Sequence, residues 1–210
     1  MHLDDDDPHR VADLSALQAV YGTPAPTSLR KEVNHLHASY RALIEASPFA
    51  VLATSGRDGL DASPRGDAVG FVTIEDERTL LLPDRRGNNR IDSLRNVLED
   101  PRVALLFLVP GIGETLRVNG RAHITTAPDL LQRFAVDGKA PRSVLVIKVE
   151  TVYFQCSRAL VRSCLWDAAS WPRPGALPSA GDILAALTDG QFGGSAYDQA
   201  QPERVKTSLY

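Results

Sequence analysis

The chain has 210 residues, 43% of them hydrophobic, which is enough to build one core or two small ones. A formal net charge of −3 excludes a general affinity for nucleic acid or an anionic membrane surface. Two cysteines, Cys156 and Cys164, are too few for a disulfide framework, and no apolar run approaches the roughly 20 residues that span a bilayer. The opening MHLDDDDPHR lacks a basic segment followed by an apolar one, so a secretory signal is not expected. The expectation is a soluble cytoplasmic protein with free, buried thiols.

In chain order, the first 27 residues are acidic and then Pro- and Thr-containing. They read as a loose arm with a short helix near Leu14 to Val20, and the run Asp4 to Asp7 as disordered and solvated. Leu29, Val33, Leu36, Tyr40, Leu43 and Ile44 have helical spacing, with Ser28 placed to cap a helix that runs to Ala46. FAVLATS (Phe49 to Ser55) is a strand, GRDG a turn, and LDASPRGD a second strand with an irregular end. FVTI and TLLLP, joined by EDER, form a hairpin. Ile91, Leu94, Val97 and Leu98 mark a short amphipathic helix that stops before Pro101. VALLFLVP is apolar on both faces, as a central strand is. In TLRVNGRAHI, Asn119-Gly120 is either a tight hairpin turn or a bulge within one long strand. A helix over Pro128 to Val136 follows, then the long strand VLVIKVETVYFQ and a helix from Arg158 to Asp167. The remainder is Gly- and Pro-rich, with a short helix near Ile183 to Leu187. Hairpin-linked strands with helices around them point to an antiparallel β-barrel, and the lack of strand–helix alternation disfavours a doubly wound sheet.

Three clusters carry candidate chemistry. After LLLP come Arg85, Arg86, Gly87, Asn88, Asn89 and Arg90, immediately before a helix. Asn88 or Asn89 can cap that helix, and Asp92 suits its dipole. The arginines suit a phosphate, because free N–H groups at a helix start bind anions and guanidinium forks match phosphate oxygens. A phosphate site and a solvated basic turn both remain open. In SPRGD, Pro64 places the strand at an edge and Arg65 projects from its end, which is also an ordinary turn. Arg117 alternates with Leu116 and Val118, so it faces away from the core, into solvent or an interface. On a helix from Arg158, Arg162 stands one turn on and Trp166 follows on the same face. That stripe either meets a ligand or packs its tryptophan with the arginines in water. His35 and His37 point to different sides of a helix. No metal-ligand spacing and no Ser-His-Asp order is present.

The series SPRG, GNNR, SLRN, DPRV and LRVNG, in this order, resembles the pyridoxamine 5′-phosphate oxidase-like family of FMN-binding split barrels, over about Ala38 to Asp167. The resemblance implies a mainly β fold with added helices: an antiparallel six-stranded split β-barrel, homodimeric, with FMN in a groove at the subunit interface. By position, it implies that Arg86, Asn88, Asn89 and Arg90 hold the phosphate. Leu82 and Pro83 would lie along the flavin, and Ser63, Pro64, Arg65 and Gly66 would border the ring or ribityl chain. Arg117 would approach the cofactor or the partner subunit, and Arg158, Arg162 and Trp166 would meet substrate or partner. The domain division it suggests is an arm over 1–27, the FMN-binding barrel over 28–171, and a C-terminal extension over 172–210 packing on the barrel or its mate. The lysine that relatives often carry in the phosphate corner is matched here only by Arg90. The Glu-x-Trp and arginine-rich C-terminal signature of the true pyridoxamine-phosphate oxidases is not matched, since this chain ends QPERVKTSLY. The expected function is an FMN-dependent oxidoreductase passing hydride between a nicotinamide or small organic substrate and the flavin. The alternative is a non-catalytic module that stores or senses a flavin, deazaflavin or porphyrin.

Overall fold

Seven extended segments join in one antiparallel sheet: β1 (Phe49–Gly56), β2 (Gly59–Gly66), β3 (Thr73–Asp76), β4 (Thr79–Asp84), β5 (Arg102–Leu108), β6 (Thr115–Thr125) and β7 (Ser143–Gln155). The computed structural model describes residues 7–210, so the acidic run lies outside the described residues except for Asp7. Strand order is β2–β1–β5–β6–β7–β4–β3. The expected six strands are therefore seven. The additional one is β3, four residues long, paired only with β4 and forming an edge of its own. The sheet is open, with β2 at its other edge. Pro64 sits on that edge strand opposite Val51, where a missing N–H leaves no gap in an inner ladder.

The chain divides into two compact units, one ending at Glu32 and one from Val33 to Tyr210. The first contains α1 (Leu14–Tyr21), capped by the Asp13 carboxylate, and the five-residue α2 (Pro26–Arg30). The second contains the sheet. A single helix from Leu29 to Ala46 does not form. Val33 pairs with Val152, its N–H donating at 3.0 Å and its carbonyl accepting at 2.7 Å, and the Leu36 N–H goes to the Glu77 carbonyl at 2.8 Å. Those bonds hold the segment extended, and the helix α3 starts only at Ala38 (Ala38–Glu45), capped by His37 rather than by Ser28.

The core lies on the inner face of the sheet. Leu52, Leu105, Phe107, Leu116, Val118 and Ile147 are buried there with Ile44 of α3 and Val97 of α4 (Asp92–Glu99). β5 is central, between β1 and β6, as its apolar sequence predicts. β4 is buried on both faces. Leu80 and Leu82 point into the main core, while Leu81 packs with Phe134 and Val144.

The Asn119-Gly120 ambiguity resolves as one long strand with an irregularity, since β6 runs unbroken for 11 residues and its register with β7 shifts there. Asn119 faces Thr151 and Gly120 faces Val149, so Glu150 has no partner in the ladder.

After α5 (Pro128–Arg133) and β7, the helix α6 covers only Arg158–Ser163, because Cys164 turns left-handed (φ 51°) and ends it. A capping box of Ser179 and Asp182 opens α7 (Ala180–Leu187). An unexpected helix, α8 (Gly194–Thr207), forms despite Pro202 inside it. Asp198 ties it to α7 by accepting from Gly181 N–H at 2.8 Å and Ser179 Oγ at 2.6 Å.

Close packing at the register shift gives a first test. A Cβ on Gly120 would stand 2.2 Å from the Lys148 carbonyl oxygen, which is backbone and cannot step aside. Gly120→Ala is expected to destabilise the fold by about 1–3 kcal/mol, read as a lower urea midpoint at unchanged m-value.

Candidate functional site

The turn after β4 and the end of β2 face each other across a cleft of about 520 Å³. These segments come from opposite ends of the sheet, so its curvature and the packing of α4 against β1 and β2 bring them together. Of the residues singled out from sequence, Ser63, Pro64, Arg65, Gly66, Pro83, Arg86, Asn88, Asn89 and Arg90 line this cleft. Asp61, Asp84, Arg85, Ser93 and Arg142 line it too. Arg142 is not legible in the sequence. It reaches the corner because Ser143 pairs with Asp84 at the start of β7. Its Nη1 then donates to Asn89 Oδ1 at 2.8 Å.

Five arginines (Arg65, Arg85, Arg86, Arg90 and Arg142) stand against three aspartates (Asp61, Asp84 and Asp92). Arg65 reaches α4, donating from Nη2 to Ser93 Oγ at 3.1 Å and from Nη1 to the Pro64 carbonyl at 2.9 Å. Ser93 in turn donates to Asp61 Oδ2 at 2.5 Å. The Arg65 Nε–H is buried with no hydrogen-bond partner. Arg90 pairs with Asp92 at 2.8 Å on the surface. Burial raises the Asp84 pKa above the ordinary carboxylate value, against the pull of the Arg65 and Arg142 charges.

The start of α4 departs from expectation. Neither Asn88 nor Asn89 caps it. Ile91 occupies the cap position in a left-handed conformation (φ 54°), with no side-chain cap bond. Asn88 accepts from the Arg90 N–H at 3.1 Å instead, and Asn89 is itself left-handed (φ 62°). The first turn of α4 thus meets the cleft without a side-chain cap, and unbonded N–H groups at a helix start attract anions.

The other candidates lie elsewhere. Leu82 is fully buried in the core and does not line the cleft. Arg117 projects from the face opposite to Leu116 and Val118, as strand alternation predicts, and its guanidinium lies 4.4 Å from the Tyr153 ring centre. Its Nε and the Oδ1 of Asn119, two residues on, are buried without partners. Arg158 and Arg162 are exposed on α6. Trp166 does not continue their stripe, since the helix has ended, and its Nε1 donates to the Ile112 carbonyl at 2.8 Å. Cys156 and Cys164 are free but exposed rather than buried, because both flank the short surface helix α6. Among the described residues, no group of His, Cys, Asp and Glu could hold a metal ion, and no helix is long and apolar enough to cross a membrane.

Together these features define a mainly β protein whose open antiparallel sheet carries an arginine-rich cleft at a strand–turn–helix corner. The chain belongs to the pyridoxamine 5′-phosphate oxidase family, whose model matches residues 36–156 and whose members generally bind flavin. Among solved structures, HupZ of Group A Streptococcus is 20% identical, over 58% of this chain and 94% of its own, with a TM-score of 0.47. A Clostridium acetobutylicum protein related to general stress protein 26, of the pyridoxinephosphate oxidase family, is 14% identical over 56% and 86%, with a TM-score of 0.44. General stress protein 26 of Bacillus anthracis is 20% identical over 54% and 88%, at 0.40. No curated protein matches the chain in sequence.

At the edge of the cleft, Asp67 is almost buried beside Arg85. Burial opposes its charge, but hydrogen bonds from the Tyr210 hydroxyl, the Ala68 N–H and Arg85 outweigh that and hold its pKa below the ordinary 3.8. A carboxyl whose folded pKa is depressed adds stability above its unfolded pKa, and loses it as pH falls through the folded value. Asp67→Asn cannot titrate. Between about pH 5 and pH 2 this variant is expected to lose less stability than the wild type, measured by urea melts across that range.

Proposed function

We propose that the chain is an FMN-binding flavoprotein that pairs as a homodimer and works as an FMN-dependent oxidoreductase. The observation that carries this reading is the buried Arg65 Nε–H, a charged donor with no partner, lining a cleft walled by an arginine turn. A buried unmet donor costs about 1–3 kcal/mol, more when charged, unless something fills the site to accept it. A phosphorylated flavin is an acceptor of that kind, and the residues present fit one. Arg86, Arg90, Asn88 and Asn89 would hold the phosphate, with Arg142 joining them. Ser63, Pro64, Arg65 and Gly66 would border the ribityl chain or ring, Pro83 would lie along the flavin, and Leu82 would support it from the core.

A bound flavin would supply the redox chemistry, accepting and returning hydride. The protein's part is to place the ring, keep donors near it and shape the side that substrate approaches. The open outer face of the sheet supports pairing with a second copy. There Val51, Leu106, Arg117 and Tyr153 form one row across β1, β5, β6 and β7, only half-buried. The unmet Arg117 Nε and Asn119 Oδ1 lie on that face. Arg117, Arg158, Arg162 and Trp166 would then serve the partner's site or the substrate. In domain terms, 28–171 is the flavin-binding barrel, 1–27 an arm and 172–210 an extension on the barrel or its mate.

The test is mass spectrometry and absorbance of the purified protein, followed by anaerobic addition of NADH or NADPH and reoxidation by candidate acceptors. A yellow protein releasing FMN, bleached by a nicotinamide, supports the oxidoreductase. A yellow protein that no donor reduces would favour storage or sensing, and a colourless one that takes up no FMN ends the flavin reading. Arg86→Ala is expected to weaken FMN about 10- to 100-fold by fluorescence titration, since one charge-assisted phosphate contact is lost.

A further inference from the structure

Tyr210 lies beyond α8 and 143 positions from Asp67, yet its hydroxyl donates to Asp67 Oδ1 at 2.6 Å. Its ring lies 5.4 Å from the guanidinium carbon of Arg85, within cation–π range. Arg85 directs Nε to Asp67 Oδ2 at 2.7 Å and Nη1 to the Phe134 carbonyl at 2.6 Å. The Asp67 side chain is 5% exposed and that of Arg85 19%. Arg85 also lines the cleft. One arginine therefore joins the end of β2, the end of α5, the C-terminal segment and the wall of the cleft.

The division of Asp67 between its two partners sets where Arg85 can point. Tyr210 and the Ala68 N–H occupy Oδ1, so Arg85 is confined to Oδ2 through Nε alone. An arginine facing a fully available carboxylate prefers the two-pronged fork, which would turn the guanidinium toward Asp67 and draw it from the cleft.

We propose that Tyr210 is a positioning residue for the cleft: by holding one oxygen of Asp67 it keeps Arg85 directed at the phosphate end of the bound ligand, so that docking of the C-terminal segment and binding of a phosphorylated ligand favour each other. This rests on the flavin reading above. The coupling is reciprocal, so a ligand bearing phosphate steadies Tyr210 by as much as Tyr210 steadies the ligand.

The experiment compares FMN with riboflavin, which has the same ring and no phosphate, in the 210-residue chain by flavin fluorescence. Tyr210→Phe keeps the ring and removes only the hydroxyl. It is expected to weaken FMN about 3- to 10-fold and leave riboflavin unchanged. Arg85→Met is expected to weaken FMN at least as much as Tyr210→Phe while leaving riboflavin unchanged, and adding Tyr210→Phe to it to change nothing further. In the wild type, FMN but not riboflavin is expected to slow amide exchange around Tyr210. Unchanged FMN affinity in Tyr210→Phe, or equal losses for both flavins, overturns the positioning role of Tyr210 and leaves the flavin reading standing. A wild-type protein that binds neither flavin overturns that reading and the coupling with it.

Discussion

Arginines crowded round one cleft repel one another, and much of the local structure serves to contain that repulsion. Three of the five are given different counterweights. Arg85 is held by Asp67 and the Phe134 carbonyl, Arg90 by Asp92, and Arg65 by Ser93, which is itself bound to Asp61. Asp84 feels the charges of Arg65 and Arg142, but its burial disfavours the charge that would offset them. The balance stays positive, and the unbonded Arg65 Nε marks where it is least satisfied. A multiply charged oxyanion is the simplest group that completes such an arrangement.

The sheet makes this arrangement possible by being both rigid and open. Its inner face is filled from Leu52 on β1 to Ile147 on β7, and β4 is packed on both sides, so Pro83 and Asp84 leave the core at a fixed point. The edge at β2 is unpaired on its outer side, which frees Ser63 to Gly66 to face the turn rather than a neighbouring strand. A barrel closed by hydrogen bonds would have paired these residues and left no cleft between them.

Much of this was legible in the amino-acid pattern. The apolar runs of β1, β4, β5 and β7 are strands, the two hairpin turns fall where Gly and Asp predict them, and the arginine turn does border a cleft. What was not legible came from contacts distant in sequence. Arg142 joins the corner through strand register, and α3 starts late because Val33 is claimed by Val152. Gly193, Gly194 and Pro202 argue locally against α8, yet Asp198 fastens it to the start of α7. The expected run of Arg158, Arg162 and Trp166 along one helix failed on a single residue, Cys164, whose left-handed backbone no apolar pattern announces.

The shift at Asn119-Gly120 also governs which side of β7 is which. Inward residues step from Val149 to Val152 instead of advancing by twos, because Glu150 stands outside the ladder. Loss of that one residue would make the ladder continuous and leave Thr151 and everything after it facing as they do now, whereas one more residue beside it would reverse their phase. After such an insertion Tyr153 would exchange places with Val152, removing the aromatic surface beneath Arg117 and sending a phenol into the hydrocarbon interior. The strand therefore absorbs the loss of Glu150 far better than a single further insertion beside it.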